Sequence, residues 1–329
     1  MRRSPKVSKP FAILALVSPL FAGACFHSQY RTKPRVAVVG GDPIVQMTPP
    51  GELPSLDHPN LVPIERHSDP PPSSQPLVGM RVGEEERGYP LGLLERYEVV
   101  NDRATDVDYV VARCALTDIT AVYDRRVGDR LLTFINSGAL WRDTLVLQDR
   151  ETGTLWTAAT GQALFGPLAG ERLRPIPAVN APSRAFRKAH PEATYLDTRD
   201  STRPPVSLSL YAASPWQGIS GVKTNDRRYD PKEKLFFVAE GSEALAFRAE
   251  DLKRLGRVED TLAGRPILLE WDAAVDAPAA CRPGESGGEE AVAVVPAYWF
   301  ALDRHFRIVR TLSSPGPAPV TVSSTTATR

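Results

Sequence analysis

The chain has 329 residues, 40 Lys and Arg against 39 Asp and Glu, and 42% hydrophobic residues, a near-neutral globular composition. That balance excludes the basic surplus of a nucleic-acid-binding protein or of a charge-driven membrane-surface binder. The 31 prolines argue for many turns and few long helices, so a strand-rich body of one large domain or two smaller ones is expected.

The first nine residues carry Arg2, Arg3, Lys6 and Lys9 without an acid, and an apolar run follows from Phe11 to Phe21. This is the layout of a signal peptide. The run is about half of the roughly 20 residues a membrane-spanning helix needs, so cleavage is favoured over a permanent anchor. Ala22-Gly23-Ala24-Cys25 fits the lipobox of bacterial lipoproteins, although leucine is usual where Ala22 stands. Ala22 and Ala24 also fit an ordinary signal-peptidase site. The reading adopted is residues 1–24 as signal peptide and Cys25 as the lipidated first residue of the mature chain. Acyl chains such as palmitate on Cys25 would tether the protein to a membrane, facing the periplasm or the cell exterior. Cys25-Phe26-His27 is not read as a metal site, because an acylated cysteine has no free thiolate.

Residues 25–52 read as a polar, proline-bearing spacer, apart from the short apolar patch Val36-Ala37-Val38-Val39. From Leu77 an internal similarity runs at a constant offset of 158 residues: Leu77 falls on Leu235, Gly83 on Gly241, Leu94 on Leu252, Val100 on Val258 and Asp102 on Asp260. Tyr109-Val110-Val111 lies over Ile267-Leu268-Leu269, a buried-strand pattern in both. Each copy reads as strand, short helix (Leu91 to Tyr97 in the first), turn and strand. Ala181 to Leu196 resembles Ala297 to Leu312 at an offset of 116, so the second copy lacks about 42 residues, the difference between the two offsets. The expected fold class is α+β, strand-rich, with two degenerate repeats of a mixed strand and short-helix unit, the second truncated. The divisions are 53–198 for the first copy, 199–233 for a connector, 234–312 for the second copy and 313–329 for a disordered low-complexity tail.

With Cys25 acylated, only Cys114 and Cys281 remain as thiols. They allow one disulfide in an oxidising compartment, or two free thiols, which is the favoured reading because Cys114 lies in the apolar run Val110 to Leu116. Cys114 as a nucleophile would need a base, and His190 is the histidine within the first copy's motif-bearing span. The plainer account of His190-Pro191 is the end of a helix Ser183 to Ala189, with Arg184, Arg187 and Lys188 near its carboxyl end. Asp102, Asp124 and Asp149 could form an acid pair, but turn roles and pairing within Asp124-Arg125 and Asp149-Arg150 are the default. Gly166-Pro167-Leu168-Ala169-Gly170 is a turn, since it lacks the Gly-Lys-Ser/Thr ending of a phosphate loop. Trp141 and Trp156 are assigned to core packing rather than ligand stacking.

Tyr89-Pro90-Leu91, Glu98-Val99-Val100-Asn101-Asp102, Cys114, Tyr123-Asp124-Arg125, Leu132-Thr133-Phe134, Ser137-Gly138, Asp149-Arg150, Leu155-Trp156, Gly166 to Gly170 and His190-Pro191 together give a second line of inference. This ordered set resembles the bacterial and archaeal domain-of-unknown-function family numbered 3179, over roughly Leu53 to Leu312. The resemblance implies no activity, but the family's usual pattern has a histidine before the glutamate of the first motif and a Cys-Pro-x-Cys-Gly segment. Those residue types would suit a soft metal or a dithiol pair. In this chain the histidine position is Tyr97, and the second cysteine, proline and glycine positions are Thr117, Ala115 and Asp118. The second copy has Asp272 where Cys114 falls. One thiolate neither fills a tetrahedral metal site nor runs an intramolecular dithiol cycle. A non-enzymatic envelope lipoprotein that binds a small ligand or an envelope protein is therefore the expectation, with no cofactor and no nucleic-acid partner. The alternative is a metal- or thiol-dependent accessory protein or enzyme using Cys114 with Glu98, Asp102 or His190.

Overall fold

Two tight hairpins and two strand meanders organise the chain, and the computed structural model describes residues 30–284 and 287–312. Residues 1–24, read above as a signal peptide, Cys25 and residues 313–329 lie outside the described residues. Pro76–Val82 pairs antiparallel with Glu85–Pro90 across a two-residue turn, and Lys234–Glu240 pairs with Glu243–Phe247 in the same way. The first turn residues, Gly83 and Gly241, both have φ +60°, a left-handed backbone that two-residue hairpins demand and that glycine adopts without cost.

Helix α1 (Leu91–Tyr97) follows the first hairpin, buries Leu91, Leu93 and Leu94, and stops at Glu98. The strands Val99–Ala104, Val107–Cys114 and Ile119–Asp124 then form an antiparallel meander, with Leu56–Asp57 parallel at its edge. Both faces of this meander are covered, which explains its unbroken apolar run. Val110, Ala112 and Cys114 pack toward Phe134, Leu147 and Trp156, while the alternating Tyr109 and Val111 pack toward Val78, Met80 and Tyr89.

The first hairpin sits inside a five-stranded sheet ordered 179–182, 76–82, 85–90, 194–196, 61–63, in which Thr194–Leu196 runs parallel to Glu85–Pro90. Helix α2 (Ser183–Ala189) crosses out of this sheet with the expected bounds, ending at His190-Pro191. Helix α3 (Val206–Ala213) lies in the connector, where no element was foreseen. After the second hairpin, helix α4 (Ala249–Leu255) leads to the meander Arg257–Leu262, Arg265–Asp272 and Ala277–Pro283. Helix α5 (Trp299–His305) links Val295–Tyr298 to Ile308–Thr311, which flank the second hairpin. Helices α1 to α5 are each seven or eight residues long, in keeping with the proline content.

A six-stranded sheet ordered 35–39, 42–46, 134–141, 144–149, 155–157, 163–165 completes the body. It corrects part of the spacer assigned to 25–52. Asp42–Gln46 pairs with Ala139–Trp141 and buries Ile44 and Val45, so the apolar patch serves as an edge hairpin of the core. Trp156 is fully buried and Trp141 nearly so, both in packing roles. Two junctions join the sheets: Ile119–Asp124 packs against Val295–Tyr298, and Ala277–Pro283 against Val179–Pro182. Ile119 shares a core cluster with Leu235, Ala297 and Trp299, whereas Ala277 shares one with Leu77, Ala181 and Phe186. Among the described residues no helix is long and apolar enough to cross a membrane.

Candidate functional site

Cys114 ends its strand at the first junction and is 2% exposed. Its sulfur accepts the Leu145 N–H at 3.3 Å and lies 3.8 Å from the Asp143 carbonyl, to which the thiol donates. Burial, reinforced by the Glu98 carboxylate, pushes the thiol up from its ordinary value, so the neutral form prevails at neutral pH. Glu98 arrives beside Cys114 because it caps α1 at φ 57°, a left-handed conformation unusual for a residue with a side chain. Asn136 Nδ2 donates to Glu98 Oε2 at 2.6 Å. Burial nevertheless raises the Glu98 carboxyl to about 7, outweighing the opposing pull of Asn136 and Arg113. Of the four candidates, Glu98 is thus near enough to Cys114 to act on it electrostatically, while the hydrogen-bond partners of the two are Asn136 for Glu98 and the Asp143 and Leu145 backbone for Cys114.

At the positions where the family pattern has histidine and a second cysteine, the Tyr97 phenol donates to Asp200 of the connector, and the fully buried Thr117 accepts from Thr144 Oγ1 at 3.5 Å. Among the described residues, no group of three or more His, Cys, Asp or Glu is arranged to hold a metal ion. Cys281 is a free thiol on the Ala277–Pro283 strand, paired across the sheet with Leu268 and Ala291, and Cys114 is likewise free.

A polar layer that sequence reading missed lies next to Cys114. Asp143, fully buried at φ 62°, accepts the Ile219 and Ser220 N–H groups at 2.7 Å each and pairs with Arg304. His305 Nε2 lies 2.6 Å from Thr144 Oγ1, and its ring packs edge-on against Trp141. Burial, with Arg142 and Arg304 nearby, depresses the imidazole to about 3, so it stays neutral. No local signal marks this layer, because Asp143 and Arg304 are 161 residues apart.

Asp102 stands elsewhere, in a buried network where Tyr89 donates at 2.6 Å, Arg87 at 3.0 Å and Tyr109 at 3.2 Å. The Tyr89 and Tyr109 hydroxyls also lie 2.6 Å from each other, Arg87 reaches on to Glu85, and the network ties the first hairpin to the meander. The expected neighbour pairings do not form. Asp124 pairs with Arg174 at 2.7 Å, Arg125 with Asp108 at 3.3 Å and Arg150 with Asp57 at 2.6 Å, while Asp149 accepts the Trp156 indole N–H at 2.9 Å. Arg125 and Arg150 each follow the last residue of a strand, where the chain turns away and takes each arginine to a partner on another segment. Asp102, Asp124 and Asp149 therefore have separate partners and make no acid pair.

His190 is also apart from Cys114. Its Nδ1 lies 2.7 Å from Glu86 Oε1, and its ring packs on Phe186 with centroids 4.5 Å apart. Both side chains line a cleft of about 220 Å³ at the second junction, walled by Met80, Val179, Val275 and Val294, with Asp272 also in the lining. A largely apolar cleft whose lining also carries the His190 imidazole, the Glu86 and Asp272 carboxylates and the Arg81 guanidinium is suited to seating a small, mainly apolar group with a polar function. Glu86 was not singled out in the sequence, since nothing local links it to a histidine over a hundred positions away.

Comparison with protein families matches residues 50–313 to the family described as "Protein of unknown function (DUF3179)". No curated protein and no solved structure matches the chain.

Proposed function

From the premise that the chain belongs to the DUF3179 family, we propose that it is an exported lipoprotein, acylated at Cys25, that acts as a non-enzymatic binding or scaffold protein of the cell envelope. Its partner is a small ligand or an envelope protein seated at the His190–Glu86 cleft, and nucleic acid has no part. The observation that carries the reading is the state of Cys114: a buried neutral thiol, engaged by backbone groups and separated from His190, is packing material. The basic start, apolar run and Cys25 support the membrane anchor.

The proposal includes the finer view of the fold as two degenerate copies. Supporting it, α1 and α4, Val99–Ala104 and Arg257–Leu262, and Val107–Cys114 and Arg265–Asp272 all begin and end 158 residues apart. Val179–Pro182 and Val295–Tyr298, and likewise α2 and α5, are 116 apart. The two junctions are also reciprocal, each pairing the last meander strand of one copy with the returning strand of the other, as an isologous dimer would. On this view the Cys114 region and the His190 cleft occupy equivalent junctions. The six-stranded sheet, built from 35–46 and from strands of the first copy, has no counterpart in the second copy.

One observation favours the second reading, a metal- or thiol-dependent accessory protein or enzyme: a carboxyl near 7 beside a thiol is a combination used in proton transfer. Fractionation and complementation separate the readings. Cys25→Ser should move the protein from the membrane pellet to the soluble fraction; retention in the pellet overturns the anchor. In a deletion strain, Cys114→Ala should restore the wild-type phenotype while the double variant His190→Ala, Glu86→Ala should not. Failure of a folded Cys114→Ala protein to complement would hand the case to the thiol reading.

A further inference from the structure

Helix α2 has a second face that the cleft does not use. Arg184, Arg187 and Lys188 stand at i, i+3 and i+4, which places them side by side on a helix. Together with Glu65, Ser73 and Tyr195 they line a surface hollow of about 410 Å³. Among the described residues, none of the three cations makes an ion pair or a side-chain hydrogen bond. The helix dipole accounts for Arg187 and Lys188 in the last turn, but Arg184 is the second residue of the helix, where a positive charge is disfavoured. The like-charged Arg184 and Lys188 at i, i+4 also repel. Glu65, on the short turn Ile64–Arg66, is the acid of the lining, and Arg66 follows it; Glu192, also exposed, lies just past Pro191.

The independent sign of a ligand is Tyr195. It is 1% exposed, and its hydroxyl is buried without a hydrogen-bond partner. A buried donor left unpaired is costly and calls for an explanation. Burial pushes the phenol up to about 12, so it remains a donor at neutral pH. Ser73 is held at the helix start, its carbonyl accepting the Arg184 N–H at 3.0 Å.

We propose that this hollow binds a tetrahedral oxyanion of the phosphate class, with Arg184, Arg187 and Lys188 neutralising its charge and the Tyr195 and Ser73 hydroxyls donating to its oxygens. Guanidinium forks suit the tetrahedral oxygens of phosphate, and the anion removes the repulsion along α2 while satisfying Tyr195. Free phosphate and a phospholipid headgroup share this chemistry. The assignment depends on neither the anchor at Cys25 nor the cleft at His190.

Calorimetric titration of the full chain in neutral detergent, with inorganic phosphate in one series and glycerophosphoglycerol in another, tests it. Saturable binding of at least one probe is expected, weakening as salt is raised. Preference for inorganic phosphate identifies a free dianion as ligand, and preference for the diester identifies a lipid headgroup. Tyr195→Phe should weaken binding by about tenfold or more. It should leave the melting temperature unchanged or higher, because it deletes an unpaired buried hydroxyl. The double variant Arg184→Gln, Lys188→Gln should abolish binding. Absence of saturable binding with both probes, or wild-type affinity in Tyr195→Phe, overturns the proposal.

Discussion

Lys234 Nζ lies 2.8 Å from Asp118 Oδ2, joining the first strand of the second hairpin to the turn that follows Cys114. Asp118 also holds Arg113 Nη1 at 2.7 Å, and Arg113 reaches Glu95 at 2.9 Å. Arg113, Asp118 and Glu95 are buried, so the arginine depends on these two acids for its charge balance.

Asp118→Asn should therefore destabilise the protein by about 2–3 kcal/mol, since it keeps the left-handed turn but removes the charge facing Arg113. Lys234→Ala, at a half-exposed position, should cost under about 1 kcal/mol. Burial alone would raise the Asp118 carboxyl, but Lys234 and Arg113 hold it below its ordinary 3.8. Its contribution is then complete above that value and is lost as pH falls through the lower folded value. Urea unfolding of both variants at neutral and acid pH measures the two effects.

Cys114 should resist alkylation in the native protein while Cys281, only half-buried, reacts first. Burial raises both thiols, so reaction should be slow even at mildly alkaline pH. Peptide mapping after timed iodoacetamide treatment reads each cysteine separately. Labelling of Cys114 at the Cys281 rate would contradict the packed position described above.

Glu98→Gln should stabilise the protein at pH 8 and have little effect at pH 5. The folded carboxyl titrates near 7 against an ordinary 4.5, so the native state holds a proton that the unfolded chain releases between these values. Native stability falls across that window as pH rises, and glutamine removes the loss. The gain at pH 8 should be about 1–2 kcal/mol, allowing for the part of the side chain that meets water. Thermal melts at the two pH values give the comparison.

His305→Gln should flatten the acid limb of the stability curve. The folded imidazole titrates near 3 against 6.5 in the unfolded chain, so between these values the unfolded state binds more protons. Wild-type stability is then full above 6.5 and falls by up to about 1.4 kcal/mol per pH unit as acid is added. Glutamine can still reach Thr144 without taking up a proton. Denaturant midpoints from pH 4 to pH 7 would show the difference in slope.

Local pattern by itself determined the strand-rich class, the bounds of α1 and α2, and the buried strand at Tyr109 to Cys114. Their signals lie within a few residues: prolines that stop helices, apolar runs and paired turn glycines. The same local view misjudged residues 35–46, because this hairpin gains its meaning only when Ala139–Trp141, distant in sequence, is there for Asp42–Gln46 to pair with. It also paired Asp124 with Arg125, although the chain leaves the strand after Asp124 and the two side chains find distant partners, Arg174 and Asp108. Of the candidate site residues, sequence could nominate Cys114, Glu98, Asp102 and His190 by type. Only the packing of the sheets decided that the Glu98 carboxylate acts on Cys114, that His190 meets Glu86, and that Asp143 meets Arg304. Such meetings depend on how distant strands stack, and the free energy that selects a stacking comes from burial summed over whole faces, which no window of sequence contains.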